Sequence, residues 1–436
     1  MPCPLLPTKI VWGLDFYLNR PKIARFYIYL RDICTIGIIM NKLSETTRYI
    51  GTDDLDLDLF EGQYIVPEGI AYNSYLILDE KVAVLDTCDA RKGEEWKRNL
   101  TEALEGRTPD YLIVHHMEPD HSALVRDMLD IYPNLQLVCS QKAVQMLGQF
   151  WPDASFAGRT LVVKEGDVLE LGSHSLRFFD APMVHWPEVM VSFDESEGVL
   201  YSADAFGKFG ALSKCGFYGR DDDDWSCEAR RYYFNIVGKY GGPVQNLLRK
   251  LAPLAESGAI KSIRPLHGPI LEDNLGGYLK LYSTWSSYEP ETEGVFIACA
   301  SIYGGTLEAA GKLAEILRAK GAAKVVVSDL SRSDIAENVE DAFRYSKAVF
   351  ASSSYDGGLF TPMYQFLHRL QAKGYCKRRV AIVENGSWAP CAARVMKEQL
   401  SQMKEIEIVE PVVTIRSRMK ESDIPALEQL ADALLT

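Results

Sequence analysis

From Met40 to about Pro290 the chain is built of short apolar runs separated by polar turns. Ile70–Leu78 and Lys81–Asp86 alternate or run apolar on either side of a polar Asp79-Glu80 pair, which predicts a β-hairpin. Tyr111–Val114 predicts a short buried strand that leads directly into a polar, histidine-rich loop. Leu161–Val163, Val168–Leu171, Leu176–Phe179, Val189–Phe193 and Val199–Ser202 continue the strand-rich pattern. The rhythm changes at Gly294 to strict strand–helix alternation. Strands are predicted at Val295–Ala300, Lys324–Ser328, Ala348–Ser352, Arg379–Val383 and Ile406–Val413. Helices at Thr306–Lys320, Ile335–Tyr345, Pro362–Lys373 and Cys391–Gln402 fall between them. Five parallel strands with intervening helices make a doubly wound α/β sheet of about 140 residues. The polar, proline-containing Ser283–Thr292 stretch divides residues 40–290 from residues 293–436. No internal repeat is visible.

Residues 1–39 stand apart. They carry Lys9, Arg20, Lys22, Arg25 and Arg31 against Asp15 and Asp32, with prolines at 2, 4, 7 and 21. Their longest uncharged apolar stretch, Ile33–Met40, is short for a targeting segment and has no small-residue cleavage site. The expectation is an upstream extension, with Met40 as the start.

Composition narrows the classes. The chain has 436 residues and a net charge of −13, without the basic stretch of a nucleic-acid binder. No apolar run reaches the roughly 18–20 residues that span a bilayer. Nine scattered cysteines contain no Cys-x-x-Cys pair, which argues against a disulfide scaffold, a zinc ribbon or a built-in rubredoxin-like iron site. A cytoplasmic enzyme or redox protein is expected. The acidic run Asp221–Asp224 reads as a solvated loop.

The densest chemistry is His116-Met117-Glu118-Pro119-Asp120-His121, on the loop after the Tyr111–Val114 strand. In an extended loop alternate side chains share a side, so His116, Glu118 and Asp120 can converge and His121 completes a second corner. Burying four such groups unpaired would be costly. His185, Asp204 and His267 follow, each at the end of an apolar strand, where loops present site residues. His115 is expected to point the other way. His174 and His368 are assigned no role.

This ordered set resembles that of the metallo-β-lactamase superfamily, except that Glu118 stands where the hydrolases keep a histidine. A hard anionic ligand there suits iron better than a nitrogen-rich zinc site. The pattern points to a non-haem diiron centre.

The second half carries three glycine- and hydroxyl-rich loops at predicted strand ends. Ser301-Ile302-Tyr303-Gly304-Gly305-Thr306 opens a helix whose N-terminus can receive an anion, and no lysine follows as in a nucleotide P-loop. Ser353-Ser354-Tyr355-Asp356-Gly357-Gly358 and Asn385-Gly386-Ser387-Trp388 follow the third and fourth strands, where this fold binds ligands. Tyr355 and Trp388 can cover an aromatic ring system. Flavin mononucleotide (FMN) fits these three loops.

With these residues in place, the chain resembles the flavodiiron proteins, or A-type flavoproteins, over residues 45–436. The resemblance implies a metallo-β-lactamase-like αββα sandwich followed by a flavodoxin-like five-stranded domain. It implies one iron on His116, Glu118 and His185, another on Asp120, His121 and His267, and Asp204 bridging them. It further implies reduction of dioxygen to water, of nitric oxide to nitrous oxide, or of both, with electrons passed through FMN. A head-to-tail homodimer or dimer of dimers and a separate donor, a rubredoxin or flavin reductase, complete the expectation. Gly305, Pro390-Cys391 and Lys208-Phe209 depart from common residues of that family. Two competing readings are a zinc hydrolase with a redox-sensing flavodoxin domain, and an electron carrier with structural metals.

Overall fold

The computed structural model describes residues 42–219 and 223–436. The readings of residues 1–39 and of Met40 as a start lie outside these residues, as do Asp221 and Asp222. Asp223 opens a helix that runs to Tyr232, so the loop expected at Asp221–Asp224 does not extend to Asp223 and Asp224.

Two mixed sheets build the first half. One runs in the order Thr47–Tyr49, Tyr75–Leu78, Val82–Leu85, Tyr111–Ile113, Gln136–Ser140, Thr160–Val163. The other runs Val168–Glu170, Ser175–Asp180, Met190–Asp194, Val199–Tyr201, Ser262–Arg264. Between them lies a buried layer to which both contribute, including Tyr49, Ile77, Leu85, Ile113, Phe178 and Met190. The predicted hairpin is present, with Tyr75–Leu78 antiparallel to Val82–Leu85. Its first strand is shorter than expected. Ile70–Tyr72 pairs instead with Thr52–Asp54, and the break falls at Asn73-Ser74. Both are buried polar residues whose side chains bind backbone of other segments: Asn73 Nδ2 donates to Pro265 O and Gly268 O, and Ser74 Oγ to Asp86 O.

The second half is the expected doubly wound sheet, in the order Val325–Asp329, Thr292–Ala300, Tyr345–Tyr355, Arg378–Asn385, Ile406–Ile415, all parallel. This order, with its switch point beside the first strand, is that of flavodoxins. A short antiparallel strand, Gly358–Leu359, folds back on the third strand. A C-terminal helix, Ile424–Leu435, packs Leu427, Leu430 and Leu434 on the sheet and was not anticipated.

The expected divider at Ser283–Thr292 is narrower than its composition suggests. Leu275–Ser286 is helical and the first strand begins at Thr292. Across it the halves share one apolar core, with Phe234 stacked on Phe343 at 4.3 Å. The buried Arg230 binds Glu291 through two hydrogen bonds of 2.6 Å and Glu340 through one of 3.0 Å.

His174, given no role from sequence, joins elements of the sandwich. Its Nε2 lies 2.7 Å from Thr46 Oγ1 and its Nδ1 2.6 Å from Asp194 Oδ2. Burial disfavours the imidazolium, but the Asp194 carboxylate prevails and raises the group above its ordinary 6.5, while Asp194 is lowered. The stabilisation is therefore full below about pH 6.5 and is lost as pH rises through the raised value. Replacing His174 by Gln should cost about 1–3 kcal/mol near pH 6 and less at pH 9, measured as the urea midpoint across that range.

Candidate metal centre

All seven predicted metal ligands come from loops at one edge of the sandwich, and the chain around them explains why they converge. Asp86 fixes the start of the histidine loop by accepting from the His115 amide at 2.8 Å, while its other oxygen lies 2.6 Å from His115 Nδ1. His115 Nε2 meets Ser192 Oγ, so this imidazole faces away from the other ligands, as expected. The loop is extended only as far as Glu118. Pro119–Ser122 then forms one helical turn, held by Thr87, whose hydroxyl and amide both donate to His121 O. That turn corrects the alternating-side expectation. Glu118 stays with His116, while Asp120 and His121 swing to a second group.

Asp204 sits on a turn after the Val199–Tyr201 strand, flanked by left-handed residues Ala203 (φ 51°) and Phe206 (φ 67°). The turn is over-determined: Leu266 N donates to Ala203 O, and Phe206 N to the Tyr282 hydroxyl. Such strain persists at functional sites when the surroundings enforce it. His267 is placed by Asn73, which clamps the carbonyls on both sides of it.

Two donor groups result, one of His116, Glu118, His185 and Asp204, the other of Asp120, His121 and His267. Within each, the ligand atoms lie within 4.8 Å of one another. Glu118 Oε2 is 3.2 Å from His116 Nε2 and 3.0 Å from His185 Nε2. Asp120 Oδ2 is 3.3 Å from His121 Nε2 and 3.2 Å from His267 Nε2. Asp204 faces both groups with different oxygens. Oδ2 is 3.0 Å from His185 Nε2, and Oδ1 is 3.4 Å from His121 Nε2. Two ligand atoms about 2.1 Å from one ion, at octahedral to tetrahedral angles, stand roughly 3.0–3.4 Å apart. The observed spacings match.

Three further observations fit divalent metal. Both oxygens of Asp120 and of Asp204 are buried without a hydrogen-bond partner. The tautomers are set correctly: His116 Nδ1 faces Glu188 Oε1 at 2.8 Å and His267 Nδ1 donates to Ala71 O at 2.7 Å, leaving each Nε2 free toward the centre. The electrostatics favour positive charge. Burial opposes it, yet Asp204 and Glu118 push His185 up to about 9, and His116 and His185 hold Glu118 well below the usual carboxylate range. Metal entering at neutral pH therefore displaces protons.

Three residues of the centre escaped sequence reasoning. Glu188 follows the His185-Trp186-Pro187 element directly, but nothing in the pattern marks a buried acid. Asn73 looks like any polar residue ending a strand. Tyr232, at the end of the Asp223–Tyr232 helix, has a buried hydroxyl without a hydrogen-bond partner, and its ring centroid lies 5.6 Å from that of His267. Phe60 and Trp186 add apolar walls, edge-on to His267 and His116.

The three glycine-rich loops meet at the carboxyl ends of the parallel strands. Gly304 (φ 89°) and Gly305 begin the Gly305–Ala319 helix, and Ser301 Oγ accepts from Gly304 N. Thr306 Oγ1 lies 2.8 Å from Ser353 Oγ. The Ser354 hydroxyl accepts from the amides of Cys391 and Ala392 and so caps the Ala392–Leu400 helix that follows the fourth strand. Asn385 is held by Ser417 N and O, and Ser387 by Ser417 Oγ, which adds a fourth loop that the sequence reading lacked. Tyr303 and Trp388 stand 98% and 89% exposed, and Tyr355 is half exposed beside Asp356 and Gly357.

Comparison with known proteins agrees with this geometry. The model of the ODP family β-lactamase matches residues 70–268. A putative diflavin flavoprotein A 1 of Nostoc sp. is 28% identical over 90% of this chain and 65% of its own length. A nitric oxide reductase of Moorella thermoacetica is 29% identical over 84% of this chain and 91% of its own. The rubredoxin oxygen:oxidoreductase structure of Desulfovibrio gigas shares the fold, with a TM-score of 0.83 at 23% identity, over 90% of this chain and 97% of that one. The chain thus spans 65% of one Nostoc diflavin relative, and 51% of a second. The chain is thus similar in sequence to diflavin flavoproteins and to a nitric oxide reductase, and shares its fold with flavodiiron proteins.

Proposed function

We propose that the chain reduces dioxygen to water, nitric oxide to nitrous oxide, or both, at two irons supplied with electrons through FMN. The observation that carries this is Asp204, whose two oxygens face two separate groups, each with two histidines and a carboxylate of its own. The likeness to the Moorella nitric oxide reductase and to the Desulfovibrio rubredoxin oxygen:oxidoreductase favours these two substrates. Three carboxylates among seven ligands favour iron over zinc.

Two irons bound there would supply electrons and Lewis-acid stabilisation to a diatomic ligand. Asp204 would hold both, one through each oxygen, and Glu188 and the Ala71 carbonyl keep His116 and His267 in the ligating tautomer. Tyr232 offers a hydroxyl proton beside the second group, and Phe60 and Trp186 restrict water. FMN would relay electrons from a separate donor, a rubredoxin or flavin reductase.

The flavin cradle is tested at Gly305, where an added Cβ would meet Ser417 O at 2.6 Å. Gly305→Ala forces the fourth loop aside, at about 1–3 kcal/mol. Flavin titration followed by fluorescence should show a dissociation constant raised about 5- to 150-fold.

A head-to-tail homodimer fits the exposed side chains. Tyr303 and Trp388 project from the flavin loops, while Leu59 and Ile65 are exposed on a hairpin whose tip residue, Glu61, feels the charge of Glu118 and His185. All seven cysteines among the described residues are free, which fits the reducing cytoplasm. No helix among the described residues is long and apolar enough to cross a membrane.

The test is metal and flavin content of protein purified without air, followed by oxygen and nitric oxide consumption before and after iron removal. About two irons and one FMN per chain, with consumption that needs the iron, are expected. Two zincs from iron-supplemented cells would overturn the reading in favour of a hydrolase.

A further inference from the structure

We propose that Glu188 makes the two metal positions unequal, so that the ion held by His116, Glu118 and His185 is bound more tightly than its neighbour and is the harder of the two to reduce. The inference rests on the dinuclear reading above.

Glu188 is 2% exposed, in the loop between the Ser175–Asp180 and Met190–Asp194 strands. One oxygen, Oε1, accepts from the Met117 amide at 2.8 Å and lies 2.8 Å from His116 Nδ1. The other, Oε2, is buried without a hydrogen-bond partner. Ser140 Oγ donates to the Glu188 carbonyl, which fixes the residue against the neighbouring sheet. Among the described residues, no lysine or arginine pairs with this carboxylate; its one charge-bearing partner is His116. A carboxylate buried in this way is unfavourable unless a cation stands close. An imidazole whose Nε2 holds a metal ion meets that need, since the ion draws electron density from the ring and strengthens the Nδ1 donor. The exchange is mutual, because an anionic acceptor on Nδ1 makes Nε2 a better donor to the metal.

The second position has no such support. His267 Nδ1 donates to a neutral carbonyl, Ala71 O, and His121 Nδ1 is buried without a hydrogen-bond partner. Each position has one carboxylate of its own, Glu118 or Asp120, and both share Asp204. Glu61 stands near the first group and Asp89 near the second, so the remaining difference among the described residues is the carboxylate in direct contact with a ligand imidazole, Glu188 on His116. More negative charge around one position favours the ion there, and favours its ferric over its ferrous form.

The experiment uses the full chain loaded with ferrous iron and FMN without air. Iron release to a chelator is followed at pH 7, together with the midpoint potentials of the two irons by electron paramagnetic resonance. Wild type is expected to release its ions in two phases of equal amplitude. Glu188→Gln keeps the acceptor and the shape but removes the charge. It should speed the slow phase about 10–100-fold, leave the fast phase and the flavin content unchanged, and raise the lower iron potential. A tenfold shift in ferric preference corresponds to about 59 mV. Glu118→Gln should speed the same phase, and Asp120→Asn the other.

Single-phase release from wild type would overturn the proposal. So would unchanged kinetics in Glu188→Gln, equal acceleration of both phases, or acceleration of the phase that Asp120→Asn moves. A Glu188→Leu protein impaired where Glu188→Gln is not would also overturn it, because shape and not charge would then carry the effect. Failure of the dinuclear reading itself is seen separately, as wild type that never holds two ions per chain.

Discussion

An Asp204→Ala protein is expected to lose its pair of metals and at least a hundredfold of its turnover while keeping its fold. Outer hydrogen-bond partners of metal ligands are worth about 10–100-fold each, and a carboxylate shared between two ions should be worth more. The fold survives because the strained turn around residue 204 is held by other groups, through Ala203, Phe206, Tyr282 and Leu266. Removing Asp204 also removes two buried oxygens that have no hydrogen-bond donor. Two measurements separate a ligand from a packing residue. The melting temperature of metal-free protein should change little, and the increase produced by adding iron should disappear. A variant that kept both the iron-dependent increase and full oxygen or nitric oxide consumption would sink the bridging role.

Arg230→Met should produce the largest loss of stability, about 3–5 kcal/mol, because it strands the buried Glu340 and the partly buried Glu291 and leaves the ligands untouched. Arg230 is 1% exposed and binds Glu291, from the connection between the halves, and Glu340, from the Ile335–Arg344 helix. Its single charge is already met by Glu291, which also accepts from Trp285 Nε1. Glu340 is accordingly pushed up to about 8, with burial outweighing the attraction of Arg230. A carboxyl raised in the folded state stabilises it at low pH, and that contribution is lost as pH rises from about 4.5 through 8. Chemical denaturation at pH 6 and pH 9 checks both statements. The variant midpoint should fall at each pH, and in wild type Glu340 should contribute less stability at pH 9.

The seven candidate ligands were legible because each occupies a short motif at the end of an apolar strand, and strand ends survive translation into three dimensions. Their grouping was not legible from alternation. One helical turn at Pro119–Ser122 reverses the direction of Asp120 and His121, and only Pro119 hints at it. Glu188, Asn73 and Tyr232 act through partners distant in sequence: Met117 for Glu188, Pro265 and Gly268 for Asn73, His267 for Tyr232. No local pattern encodes such pairs. The parallel sheet was legible because its three central strands are buried on both faces and read as continuous apolar runs. Its C-terminal helix was missed although Leu427, Leu430 and Leu434 are spaced for one. The cap that Ser354 places on the Ala392–Leu400 helix was not legible, because its partners Cys391 and Ala392 lie in the next loop.

The exposure of Trp388 also gives the protein an optical probe. Trp96, Trp225 and Trp285 are buried, and Trp151 and Trp186 are partly covered. Among the described residues an aqueous quencher such as iodide therefore reaches Trp388 before any other indole. Emission from that one residue reports whether the loop at the end of the fourth parallel strand is bare, stacked on an isoalloxazine ring, or covered by a second copy of the chain. Flavin occupancy and assembly can thus be followed on unlabelled protein, without perturbing the metals.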